Sequence, residues 1–188
     1  MSRRRGIWAG FQGLAAVTGL ALVLGGCASL PPEEGLTRVI NDYRERQGLA
    51  AIPRSPALAE VAEAHLKDIR AHDPGRRECS LHSWSDKGAW TPCCYTAGEP
   101  ASARCMRDKP RELTGSAYPH AGFEIVARRS EAMTAQAALD IWRGSPAHDA
   151  VVVNKGVWSA LEWRAIGAAM SDEYAIVWFG REPDRRAE

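Results

Sequence analysis

Hydrophobic and polar positions change their period along the chain, and each period predicts an element. Ile7 to Leu24 is an almost unbroken apolar run behind Arg3, Arg4 and Arg5. Leu30-Pro31-Pro32-Glu33-Glu34 reads as a short tether, after which Leu36, Val39, Ile40 and Tyr43 recur at helical spacing until Gly48 stops them. Ser55-Pro56 opens a second helix, with Leu58, Val61, Ala62, His65, Leu66 and Ile69 on one inward face. From His72 to Tyr118 no period survives, and Gly, Pro, Cys, Ser and Trp dominate. A loop of that length in a compact domain is functional or stapled. Gly122 to Arg128 predicts a strand, and Thr134 to Arg143 a helix that buries Ala138, Ile141 and Trp142. Ser145-Pro146 starts another helix, and RAIGAAMSDEYAIVWFG predicts two strands around a Ser171-Asp172-Glu173 turn. Helices that precede a few late strands indicate an α+β layered domain rather than an alternating parallel sheet.

The N-terminus changes this picture. A basic start, an apolar middle and small residues form a secretory signal, and Leu24-Gly25-Gly26-Cys27 resembles the bacterial lipobox, whose cysteine is acylated and becomes the mature N-terminus. The rival reading is a retained N-terminal anchor, since about twenty apolar residues suffice to cross a bilayer. Both tether the domain to a membrane. The resulting division is a lipoprotein signal peptide over 1–26, a lipidated tether over 27–35, one domain over 36–182 and a polar tail over 183–188. Ala28 rather than Asp after Cys27 implies, within the lipoprotein resemblance, an outer membrane location on the periplasmic or cell-surface side. The full chain carries a formal charge of +1, three basic residues of which lie in the signal, so the remainder has +1 − 3 = −2. That weak acidity excludes nucleic acid as an expected partner, because such binding needs a basic patch.

Four of the five cysteines, Cys79, Cys93, Cys94 and Cys105, fall inside the unpatterned loop. In an exported domain they read as two disulfides rather than a zinc site, because no CxxC pair is present. Adjacent cysteines rarely bond each other, so one of Cys93 and Cys94 pairs with Cys79 and the other with Cys105, in an order the sequence leaves open. His148 lies at the third position of the helix begun by Ser145. There the positive end of the helix dipole favours a neutral ring with a free lone pair, able to bind metal or accept a proton. The alternative is a histidine that caps its own turn. His65, on an apolar face, is read as a hydrogen-bonded core residue. Trp84 and Trp90 are read as packing over the domain. No nucleophile elbow, HExxH motif, phosphate loop or dinucleotide fingerprint occurs.

Taken in order, a first helix with YR, AEAHLKD, LHSW, FEIVA, WRGSPAH, AIGA and a closing VWFG resemble the CAP superfamily of cysteine-rich secretory, antigen 5 and pathogenesis-related proteins, in its bacterial SCP-like branch. Trp142 to His148 is similar to the W-x-x-S-P-G-H of bacterial members. The resemblance implies a three-layer α-β-α sandwich with a small antiparallel sheet and a long disulfide-stapled loop. It also implies a cleft of two histidines and two acids that binds a divalent metal in several members. Carried over singly, those residues are His82, His148 and Glu124. Two departures stand out: Phe123 and Ile125 flank that glutamate where the family has glycine and asparagine, and the second acid is absent, with Asp86 and Asp149 as spare acids nearby. Two readings follow. One is a membrane-tethered, non-enzymatic domain, held through lipidated Cys27, whose cleft takes a lipid, cell-wall or protein ligand. The other is a metal-assisted hydrolase in which His82, Glu124 and His148 hold zinc.

Overall fold

Helix α1, Pro32–Arg46, begins inside the stretch expected to be a tether. Pro32 needs no N–H partner at the first turn, and Glu33 and Glu34 sit favourably at the positive end of the dipole. Its buried stripe is Leu36, Ile40 and Tyr43, and Gly48 follows at φ +78°. Residues 30–76 and 78–187 are described by this computed structural model. The apolar run Ile7–Leu24 and Cys27 lie outside them. Among the described residues no helix is long and apolar enough to cross a membrane.

Helix α2, Pro56–His72, is capped as its sequence predicts, with Ser55 Oγ accepting the Leu58 N–H at 3.0 Å. A second device strengthens this end. Asp184, from the segment expected to be a polar tail, is buried and accepts both Ser55 Oγ (2.7 Å) and the Ala57 N–H (2.8 Å). The acid therefore satisfies an orphan donor and complements the helix dipole at once.

The stretch from His72 to Tyr118 is less irregular than expected. It contains a 3₁₀ turn, Pro100–Ala103, and two short helices, α3 Arg104–Arg107 and α4 Lys109–Thr114. Helices of four and six residues are too short to show a period in the sequence. The disulfides are Cys79–Cys94 and Cys93–Cys105, so the adjacent cysteines diverge to opposite partners as expected.

Strands β1 Gly122–Arg128, β2 Ala165–Met170 and β3 Tyr174–Gly180 form an antiparallel sheet in the order β1-β3-β2. Alternation divides each strand between two cores. Val126, Ala165, Ala169, Tyr174, Ile176 and Trp178 face α2. Ile125, Ala127, Ile166, Ala168, Val177 and Phe179 face α1 and helix α5, Ala135–Arg143. The result is the three-layer α-β-α sandwich. Gly167 is required by this layering, since a β carbon there would meet the backbone of α2 at 2.1 Å from Ala59 N and 2.2 Å from Leu58 C.

The expected buried face of α5 needs one correction. Ala138, Leu139 and Trp142 are fully buried, while Ile141 is 38% exposed. The inward stripe follows Ala135, Ala138, Leu139 and Trp142, the i, i+3, i+4, i+7 rows of a helix, and leaves Ile141 at its edge.

Candidate functional site

Glu124 is the third residue of β1, directly after Phe123, on the face that looks at α2. Its side chain is wholly buried, so its oxygens need donors from the protein. Two histidines supply them. His65 of α2 places Nδ1 2.5 Å from Oε1, and His82 of the stapled loop places Nδ1 2.8 Å from Oε2. Burial pushes the Glu124 carboxyl up, but the charge and hydrogen bond of His65, with those of His82, outweigh it and hold the carboxyl below its ordinary range.

Because the Nδ1–H of His82 is spent on Glu124, its lone pair lies on Nε2, which makes no hydrogen bond within the described residues. His148 belongs to helix α6, Pro146–Val152. Here the expected cap is replaced. Ser145 Oγ accepts no backbone N–H and instead pairs with His148 Nδ1 at 2.9 Å, the third helical residue reaching back to the cap. The shift of this ring runs in the direction expected for a histidine at a helix start. Burial, then the neighbouring His82, lowers its proton affinity.

The two imidazoles line one cleft of about 330 Å³ at the free edge of β1, together with Met106, Phe123, Val151 and Trp158. Phe123 packs edge-on to Trp158, with centroids 5.4 Å apart. Thus His82, Glu124 and His148 do come to one cleft, where Glu124 bonds His82 and not His148. Neither spare acid joins them. Asp86 is exposed and paired with Lys87, and Asp149 accepts Tyr43 OH at 2.8 Å on the α1 side. Ser83 is buried and its Oγ accepts the Tyr95 N–H, so it forms no pair with His82. Trp84 is buried and stacks on His65 at 4.2 Å, while Trp90 packs edge-on to it at 5.0 Å.

The residue that sequence reasoning passed over is His65, assigned to the core and found bonded to the central acid. The signal was present: a ring buried in an apolar stripe needs two internal partners. Among the described residues no group of three or more His, Cys, Asp or Glu side chains is placed to hold a metal ion. Both oxygens of Glu124 are taken by imidazole N–H groups, which leaves two free nitrogens, His82 Nε2 and His148 Nε2. That set falls short of the three protein ligands of a catalytic zinc site.

The fold and cleft define the class of protein this chain resembles. An extracellular protein containing an SCP domain from Bacillus anthracis superposes with a TM-score of 0.55 at 19% identity, covering 80% of this chain and 40% of that one. A cysteine-rich secretory protein from Staphylococcus aureus gives 0.53 at 12%, covering 80% and 39%. An outer surface protein from Borrelia burgdorferi gives 0.51 at 15%, covering 78% and 90%. The chain therefore has the fold of SCP, or CAP, domains, and spans about two fifths of the length of the first two proteins. The sequence itself matches no family model and no curated protein.

Proposed function

We propose that this chain is an exported, membrane-tethered SCP-fold protein whose cleft binds a lipid-like ligand without transforming it. The observation that carries the reading is the composition of the cleft: Met106, Phe123, Val151 and Trp158 offer apolar walls, while His82 and His148 offer polar tips. Pockets of this kind, mostly apolar with a few placed polar groups, are the usual form of a small-molecule site. Among the described residues no serine, threonine or cysteine lines the cleft. Export is supported by the two disulfides, which persist in oxidising compartments. It is also supported by the Leu24–Cys27 lipobox and by structural neighbours described as extracellular, secretory or outer-surface. The outer membrane is the anchoring site this reading assigns.

Titration with a fluorescent long-chain fatty acid tests it. Saturable one-to-one binding is expected, weakened about tenfold by Trp158→Ala, which corresponds to roughly 1.4 kcal/mol. Absence of saturable binding to the folded protein, or an affinity indifferent to Trp158→Ala, overturns the lipid reading.

A second reading rests on the two free Nε2 atoms. With Glu124 bracing His82 as an outer-shell carboxylate, the pair offers two-point contact to a divalent metal such as zinc. The donor set does not fit the hydrolytic site suggested by the family resemblance, and no hydrolytic step is assigned to it. Stoichiometric zinc binding that disappears in the His82→Ala, His148→Ala double variant would support this reading, and no binding at micromolar zinc to folded protein removes it.

A further inference from the structure

His65 does not itself line the cleft, yet three features of the site converge on it. Its Nε2 lies 3.0 Å from the carbonyl of Ser83, an acceptor only, so that nitrogen carries a proton and donates it. Its Nδ1 and Glu124 Oε1, 2.5 Å apart, share one more. Its ring is stacked on Trp84. One turn further along α2, buried Asp68 accepts the N–H of Ser85 at 2.8 Å and its hydroxyl as well. Helix α2 thus grips Ser83, Trp84 and Ser85, the three residues that follow His82.

We propose that His65 is the positioning residue of the cleft: by fixing both Glu124 and the Ser83 carbonyl, it holds His82 in the tautomer that bears its proton on Nδ1 and keeps Nε2 bare for a ligand. The tautomer of an imidazole is set by the bond its other nitrogen makes, and the bond of His82 is to an acid whose remaining oxygen belongs to His65. A core role alone would not need this chemistry, because an aliphatic residue fills such a volume without two buried polar atoms to satisfy. Without His65 the carboxylate loses one donor in a dry interior and is free to turn away from His82.

The proposal rests on the ligand reading only for its consequence in binding, and its test does not depend on a ligand. In the full chain labelled with ¹⁵N-histidine, His82 should show a protonated Nδ1 and a bare Nε2. Two variants divide the contacts of His65. His65→Asn keeps a donor near the position of Nδ1 and should retain that signature. His65→Gln keeps one near Nε2 and should lose it, with the Nε2 resonance moving towards the protonated range. A wild-type His82 carrying its proton on Nε2, or a signature unchanged in folded His65→Gln, overturns the proposal. Should neither variant fold, the wild-type spectrum decides, with Glu124→Gln as the second perturbation: its His82 must depart from the wild-type tautomer. Failure of the fatty acid to bind while these signatures hold removes the lipid reading and leaves the positioning role standing.

Discussion

His148 is the residue whose environment carries the clearest solution consequence. Its folded proton affinity is lowered by burial and by His82, below the ordinary value of 6.5. As pH falls through 6.5, the unfolded chain takes up a proton that the folded chain resists, so stability falls with it. Above 6.5 both states are neutral and the residue adds no pH dependence. Urea midpoints measured between pH 8 and pH 5 should therefore decline on the acid side, and His148→Gln should flatten that decline. An equal decline in the variant would mean that another group titrates there. Glu124 acts in a lower window. Its depressed carboxyl stabilises the fold above its unfolded value of 4.5, and that contribution is lost as pH falls further towards the folded value.

Among the elements, the contact between α2 and β2 is the least forgiving. A side chain at Gly167 meets backbone rather than a flexible tip, so α2 must move off the sheet. Gly167→Ala should cost about 3 kcal/mol, the upper part of the range for overpacking, read from denaturant midpoints. It should also disturb the His65–Glu124 pair, since the same helix carries both contacts. The stapled loop is a second test. Cys79 and Cys94 close a loop of 15 residues, and the chain-entropy estimate for that length is about 3 kcal/mol. The Cys79→Ala, Cys94→Ala double variant should lose about that much stability in thermal or urea unfolding. Because Tyr95, next to Cys94, packs edge-on to His82 at 5.2 Å, the cleft should loosen too.

For the whole molecule, two cores on opposite faces of one three-stranded sheet tie both walls of the cleft to a single scaffold. Tyr43 and Arg44 of α1 hold α6, through Asp149 at 2.8 Å and the carbonyl of Val152 at 2.6 Å. His65 and Asp68 of α2 hold the His82 loop from the other side. The proposed membrane tether rests on the N-terminal sequence Leu24-Gly25-Gly26-Cys27. Cys27→Ala should release the protein from the membrane fraction or stall its processing. A variant processed and fractionating with membranes as before would overturn the lipobox reading.

Periodicity and turn chemistry determined the elements by local rules. Ser55-Pro56 started α2, Gly122 to Arg128 formed β1 with the expected bounds, and Ser171 to Glu173 turned β2 into β3. The order of short motifs was enough to indicate the α-β-α layers and to bring His82, Glu124 and His148 to one cleft. The partners within that cleft were decided by tertiary structure. Which cysteine met which, that Ser145 paired with His148 instead of the backbone, that Asp149 turned to Tyr43, and that His65 bonded Glu124 all depend on distances between segments far apart in sequence. The physical reason lies in burial. A polar side chain excluded from water bonds whichever group packing brings within about 3 Å, and the pattern along the chain records which face is buried without recording what waits there.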